Sequence, residues 1–554
     1  MLTALAFLPI VAVVALLVVL SWPAKRVMPC AWAIGVLLAL LVWRMDIRTV
    51  LAFSAFGGLK GLETLVTIIG AVLLLNTLRQ SGAMRVISRN LSSISGDRRV
   101  QALIIGWMFT SFIEGAAGFG TPAAITAPLM IGLGFPPMAA AMFALICNST
   151  AVAFGVVGVP TLTALSQVEP NVIAAGMNVT AFDTAVVRLT ACLHGCAGLF
   201  LPFLALCMLT KLFGRERSFK PALEALPFAL LSGAAFVVPS IILAYVAGPE
   251  FPSLIGALIG LVIVVLAAYK GICVPKRTWD FSGYRDEPAP PAEEVRDEAV
   301  GVPAREMSSF MAWLPYVLIA LILIVSRIPF FGLSAPMKSA VLRIPGLLGI
   351  EGLDYEVRYL WLPGTVFLLV SCVTAILHRM TGADMRSTLR ATGKQVYGAV
   401  IAMVFCVALV QLMLNSGQNA SGYDGMIMMI SVLAANVFRQ FFIAISPFIG
   451  VLGTFVSGSN TISNMLFASM QFETASLLGL PEILIVSLQC VGGGAGSMIG
   501  INTTVAACST SNLAGREGEL IRRNLVPCAL YCLFIVAVAA ISNALGFPYV
   551  MLGG

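Results

Sequence analysis

Phe112-Ile113-Glu114-Gly115-Ala116-Ala117-Gly118-Phe119-Gly120-Thr121-Pro122 is the stretch that decides how this chain folds. Three glycines, a proline and a carboxylate stand together inside an otherwise apolar region. An ordinary membrane span has no use for them, because backbone released from helix hydrogen bonding in hydrocarbon costs several kcal/mol per group. The stretch therefore reads as a broken helix whose free backbone groups face protein, water or a ligand. A second such stretch, Ser457-Gly458-Ser459-Asn460-Thr461-Ile462-Ser463-Asn464, follows roughly 340 residues later. Placing Gly118 on Gly458 brings Val157-Gly158-Val159-Pro160-Thr161 close to register with Ile499-Gly500-Ile501-Asn502-Thr503. Two broken elements in each half imply a repeated fold.

The surroundings are those of a polytopic membrane protein. The 554 residues are 59% hydrophobic and only 11% charged, where soluble domains carry about 25% charged residues. Apolar runs of the roughly 20 residues needed to cross the bilayer recur throughout. They place spans at 2–20, 28–43, 62–79, 137–160, 184–211, 223–247, 252–269, 309–331, 358–378, 397–415, 481–504 and 524–545, about twelve crossings. The run 2–20 lacks a basic leader and is followed by Lys25 and Arg26, so it reads as an uncleaved first span. Two stretches remain, 100–134 and 441–475, each long enough for a re-entrant hairpin of two half-helices with a glycine-rich motif at its tip.

Charge tests this topology. Of the 33 Lys and Arg, 24 fall in 21–27, 79–99, 211–222, 270–308, 379–396 and 504–523, all on one side if both hairpins return to the side they entered from. That side is cytoplasmic by the positive-inside rule. Both termini then lie outside. The net charge of +7 reports orientation, with no nucleic-acid partner implied. Twelve cysteines sit mostly in apolar segments without CxxC pairs and behave as small hydrophobes.

The order of elements divides the chain into a first repeat (1–222), linking spans (223–269), a cytoplasmic loop (270–308) and a second repeat (309–554). Span 62–79 corresponds to 397–415, the hairpins to each other, 137–160 to 481–504, and 184–211 to 524–545; amphipathic pieces near 84–91 and 428–436 precede the two hairpins. The first copy begins outside and the second inside, so the repeats are inverted. Within the loop, 280–306 has Pro288, Pro290, Pro291 and alternating charges, too little apolar content to fold alone.

Inverted repeats with discontinuous helices at the midplane are the architecture of many secondary transporters. Half-helix N-termini offer free N–H groups and partial positive charge to a carboxylate. Gly118 and Gly120 allow close backbone approach, and Thr121, Thr161, Ser459, Asn460, Thr461, Asn502 and Thr503 add neutral hydrogen-bonding groups. Each hydroxyl could equally cap a helix or bond back to its own backbone. Glu114 is expensive to bury ionised and reads either as a proton carrier or as a scaffold acid holding backbone N–H groups. His194, within Cys192-Leu193-His194-Gly195-Cys196, is a second proton candidate or a satisfied core histidine. The Cys-x-His-x-Cys spacing does not make a metal site, because positions i and i+4 share a helix face that i+2 does not. No phosphate-binding loop, cofactor motif or catalytic constellation is present, so nothing suggests that ATP drives the process, and a channel and a membrane-embedded enzyme stay as the alternatives from other classes.

The motif from Phe112 to Pro122, with Ser446-Pro447-Phe448-Ile449-Gly450 and Gly458-Ser459-Asn460-Thr461, closely resembles the lactate permease family, and the resemblance runs over nearly the whole chain. It implies a multi-pass bacterial inner-membrane symporter of lactate, glycolate or a related 2-hydroxymonocarboxylate, driven by protons. The family is grouped with transporters of two inverted repeats with re-entrant hairpins, often homodimeric. This chain departs from the family pattern where the second tip usually reads Gly-Ser-Asp-Thr and the next broken helix Gly-Lys-Met-Ile-Ser-Pro-Gln: Asn460 and Ser497 replace the acid and the base. Their joint loss keeps the local charge balanced, leaves sodium coupling or a different carboxylate open, and puts more of any proton role on Glu114.

Overall fold

The computed structural model describes residues 2–16, 22–118, 121–282, 307–327, 332–513 and 515–553. Gly120 and most of the loop 280–306 lie outside the described residues, as does the end of the first expected span. Nearly every described element is a helix. Nine helical segments are long and apolar enough to cross a membrane, or ten with one bent pair, among the described residues. The expected spans at 2–20, 252–269 and 358–378 are helices of 13, 16 and 15 residues. At 1.5 Å per residue the latter two fall short of a bilayer core about 30 Å thick.

Apolar side chains remain exposed in stripes at helical spacing, such as Val238, Ile242 and Val246 on one helix and Val262 and Leu266 on the next. In water such stripes would be a liability; here they are lipid-facing surface. The buried faces pack through small residues. Two long helices, Ile47–Gln80 and Gly382–Leu414, run against each other. A Cβ added at Gly57 would lie 2.6 Å from the Ala408 Cα and the Val407 carbonyl oxygen.

The same order of elements follows each long helix. A short helix comes first, Ala83–Ser92 in one half and Met426–Phe438 in the other. Next come two helices joined by a tight break: one ending in Thr110–Ala116 followed by Thr121–Gly132, and later Phe442–Ser457 with Asn460–Leu478. Their side-chain pairings show that each doubles back on itself. Thr110 Oγ1 bonds Thr126 Oγ1 at 3.1 Å, eight residues either side of Gly118. Ser463 Oγ donates to the Gly450 carbonyl at 2.8 Å, centred near Ser457. Gly118 and Gly458 take φ of +52° and +71°, a left-handed turn that a Cβ would oppose.

A broken span follows each hairpin. Pro137–Val152 and Gly155–Ala174 meet at a 53° bend, with Val156, Val157 and Gly158 at φ of 44°, 54° and 81°. Two consecutive β-branched residues in the left-handed region are strained, and such strain persists only where the surroundings over-determine it. In the second half Glu482–Gly496 and Ile501–Thr510 flank a break at 497–500.

Outside the helices, β1 (Leu342–Ile344) and β2 (Tyr355–Val357) form an antiparallel pair strapped to the first long helix by Arg48 Nε donating to the Leu348 carbonyl at 2.7 Å. At the base of the first hairpin Arg99 is wholly buried. It holds Asp97 at 2.7 Å, Glu224 at 3.2 Å, and the carbonyls of Pro221 and Arg277 at 2.7 and 2.5 Å. This clasp fastens the loop at 277–279 to the base of the first hairpin, and Arg98 N donates to the Trp279 carbonyl at 3.0 Å.

Candidate functional site

The first tip is built around Glu114. Its carboxylate is 4% exposed and accepts one hydrogen bond, from Asn148 Nδ2 at 2.8 Å, on the helix before the first break. The other oxygen, Oε1, lies against Gly155 and Gly118, and a Cβ at Gly155 would collide with it. A Cβ at Gly118 would collide with Val156 at the break itself. Among the described residues no cation and no backbone N–H pairs with this carboxylate.

The second tip is a neutral counterpart. Gly458 packs on Asn502, whose Nδ2 donates to the Ser457 carbonyl at 2.9 Å, so tip and break are joined. Ser459 caps the following helix by accepting from Ile462 N. Asn460 is buried with Nδ2 on the Cys490 carbonyl at 3.4 Å and its carbonyl oxygen pressed on Gly493. Thr461 is buried beside it, while Asn502 stays exposed. Thr503 Oγ1 donates back to the Gly500 or Ser497 carbonyl, at 2.9 and 3.2 Å. Thr161 N and Oγ1 both donate to the Ala153 carbonyl, at 3.2 and 2.7 Å, stapling the first break. For Thr503 and Thr161 the donor proton is spent on backbone.

The two halves interlock. The arm Thr121–Gly132 of the first hairpin packs on Ile501–Thr510 after the second break, and Asn460–Leu478 packs on Gly155–Ala174 after the first. Asn464 Nδ2 donates to the Pro160 carbonyl across this second contact at 2.9 Å. Thr121 Oγ1, Thr454 Oγ1, Asn460 Oδ1 and Thr504 Oγ1 are buried without a hydrogen-bond partner among the described residues. Buried polar atoms are nearly always paired, so unpaired ones at broken helices mark places where a ligand or water belongs.

His194 lies apart from the tips. Its Nδ1 is 2.6 Å from Tyr531 Oη, its Nε2 has no partner among the described residues, and the ring sits against Gly494 of the second broken span. Cys192 turns to Tyr245 and Cys196 is exposed, so the three do not converge. Asn148, Thr454, Asn464 and Tyr531 were not singled out by sequence reading. Two signals could have found some of them: the run Asn148-Ser149-Thr150, three polar residues inside an apolar span, and Asn464 at the end of the second glycine-containing stretch.

These elements define a class. The fold is that of a multi-pass membrane transporter: it matches the YdaH transporter of Alcanivorax borkumensis over 95% of this chain and 100% of that one, with a TM-score of 0.50 at 13% identity. The chain belongs to the L-lactate permease family, whose sequence profile matches residues 3–546. Two relatives with L-lactate permease in their names come from Haemophilus influenzae, 32% identical over 93% of this chain and 92% of the relative, and Bacillus subtilis, 29% identical over 91% and 89%. The glycolate permease GlcA of Escherichia coli is 30% identical over 88% of this chain and 86% of its own. The family is one of permeases, not enzymes, and the chain is a multi-pass protein of the bacterial inner membrane.

Proposed function

We propose that this protein imports a small 2-hydroxymonocarboxylate, lactate, glycolate or a close relative, by proton symport with alternating access. The relatives named for lactate and glycolate support the substrate class. The matching order of elements after Ile47–Gln80 and after Gly382–Leu414 supports two repeats, inverted by the charge bias, with both hairpins re-entrant. Substrate would lie between the tips, against Gly118, Gly120 and Thr121 on one side and Ser459, Asn460, Thr461 and Asn502 on the other, with Thr161 and Thr503 shaping the two breaks. Two copies would form the working unit.

One observation carries the proton assignment: Glu114 is buried beside a broken helix with a neutral amide as its partner. A carboxyl so placed is far cheaper to keep protonated than ionised, and it can give up its proton only when the site opens to water. His194 would be a second proton-handling group, reached through Tyr531. The decisive experiment is uptake of labelled mono- and dicarboxylates into proteoliposomes with pH and sodium gradients imposed separately. Accumulation of a 2-hydroxymonocarboxylate driven by the pH gradient alone is expected; uptake driven by sodium alone would overturn proton symport. The sodium-coupled alternative is favoured by one feature, the uncharged second tip, where Asn460 sits against Gly493 four residues before Ser497.

A further inference from the structure

Four wholly buried, uncharged side chains form a chain that ends at the first break. Asn464 Nδ2 donates to the Pro160 carbonyl at 2.9 Å; Gln489 Nε2 donates to Asn464 Oδ1 at 3.2 Å; Gln471 Nε2 donates to Gln489 Oε1 at 2.5 Å; and Ser446 Oγ donates to Gln471 Oε1. Gln471 also donates to the Ser446 carbonyl at 3.1 Å. The direction of this chain is forced. A backbone carbonyl can only accept, so Pro160 demands the NH2 of Asn464, which turns Oδ1 toward Gln489. Gln489 must then present its NH2, and its oxygen demands the NH2 of Gln471 in turn. The carbonyl of Ser446 fixes the other end the same way. Reversing any one amide would set two acceptors or two donors face to face in an interior that offers no water.

The chain runs from both arms of the second hairpin, through the second broken span, to the first break. That break holds Val156 and Val157 in a strained conformation, and Gly155 and Val156 there press on Glu114 and Gly118. Locally the break is held by Thr161 N and Oγ1 on the Ala153 carbonyl and by Gly158 N on the Phe154 carbonyl at 3.2 Å. We propose that Ser446, Gln471, Gln489 and Asn464 are positioning residues: they carry the set of the second hairpin into the first break, and so fix the geometry around Glu114. Their effect on transport rests on the function proposed above; their effect on the break does not.

The test is amide hydrogen exchange on the full-length purified protein, with substrate uptake measured in parallel. Gln489→Met keeps the volume and removes the middle of the chain. It should accelerate exchange over 153–161 about fivefold, as expected for one lost net hydrogen bond, while leaving 47–80 unchanged. Ser446→Ala removes only the far end and should give a smaller acceleration at the same place; it decides the matter if Gln489→Met does not fold. Adding Gln489→Met to Asn464→Leu should change exchange over 153–161 no further, because both act through one bond. In uptake the same variants should raise KM for lactate several-fold with a smaller change in maximal rate. Unchanged exchange at 153–161, or equal acceleration across the molecule, would overturn the proposal. If the wild-type protein carries no carboxylate at all, the proposed function falls, and the exchange measurement still decides on the positioning role.

Discussion

At the scale of the residue, Glu114 and Arg99 pose opposite problems. Glu114 is a buried acid with a neutral partner, so the change Glu114→Gln preserves size and hydrogen bonding to Asn148 while removing the titratable proton. PH-driven accumulation should be lost and counterflow exchange of substrate retained; full accumulation with unchanged pH dependence would rule out the carrier role and turn attention to His194. Arg99 is a buried base with two acids and two carbonyls around it. Asp97→Ala would leave that guanidinium under-compensated, at a cost of about 3–5 kcal/mol, read as a lowered unfolding temperature in detergent, whereas breaking an exposed pair such as Arg343 with Glu356 should leave that temperature unchanged. Glu114 and the tip hydroxyls were legible in the sequence because a polar group in an apolar run has to be accounted for. Their partners were not. Asn148 lies 34 residues from Glu114, and Asn464 lies 304 from Pro160; no local pattern records contacts over such separations.

At the scale of the element, hydropathy located the apolar halves of the long helices and missed the rest. The expected spans 62–79 and 397–415 fall on the C-terminal halves of helices of 34 and 33 residues. Their preceding turns carry Arg48 and Lys60, or Arg386, Arg390 and Lys394, which an apolar scan excludes. The caps were there to be read: Asp46 accepts from Arg48 N and Thr49 N, and Thr381 with Asp384 forms a capping box. The breaks, by contrast, were plain, because glycine and proline state their conformational demands locally. Gly57→Val should force the two long helices apart where backbone meets backbone, destabilising by about 1–3 kcal/mol, measurable by thermal unfolding. In the strand pair, the Gly346 amide and then Arg343 hold the Asp354 carboxyl below its ordinary value. A depressed carboxyl contributes stability that is complete above about pH 4 and fades as the pH drops through the lowered value. Protease access to 342–357 should therefore rise only in strong acid. Asp354→Asn should abolish that rise.

At the scale of the molecule, the charge bias predicts orientation and the structure supplies a reporter. Cys273 is exposed in the segment following Leu254–Tyr269. An impermeant maleimide should label it in inside-out vesicles and not in intact cells; a cysteine placed at the exposed Glu351 should show the reverse. Labelling of Cys273 from outside would sink the inverted-repeat reading with the topology.

The Arg99 clasp also sets a timetable for biogenesis. Its last partner, the Arg277 carbonyl, lies 178 residues downstream. At about 5–20 residues per second, the ribosome needs roughly ten to forty seconds to deliver it. Throughout that interval Arg99 has Asp97 beside it but lacks the downstream carbonyl that fastens the base of the first hairpin. Nascent chains arrested between residues 99 and 277 should be the forms that membrane quality-control proteases recognise first.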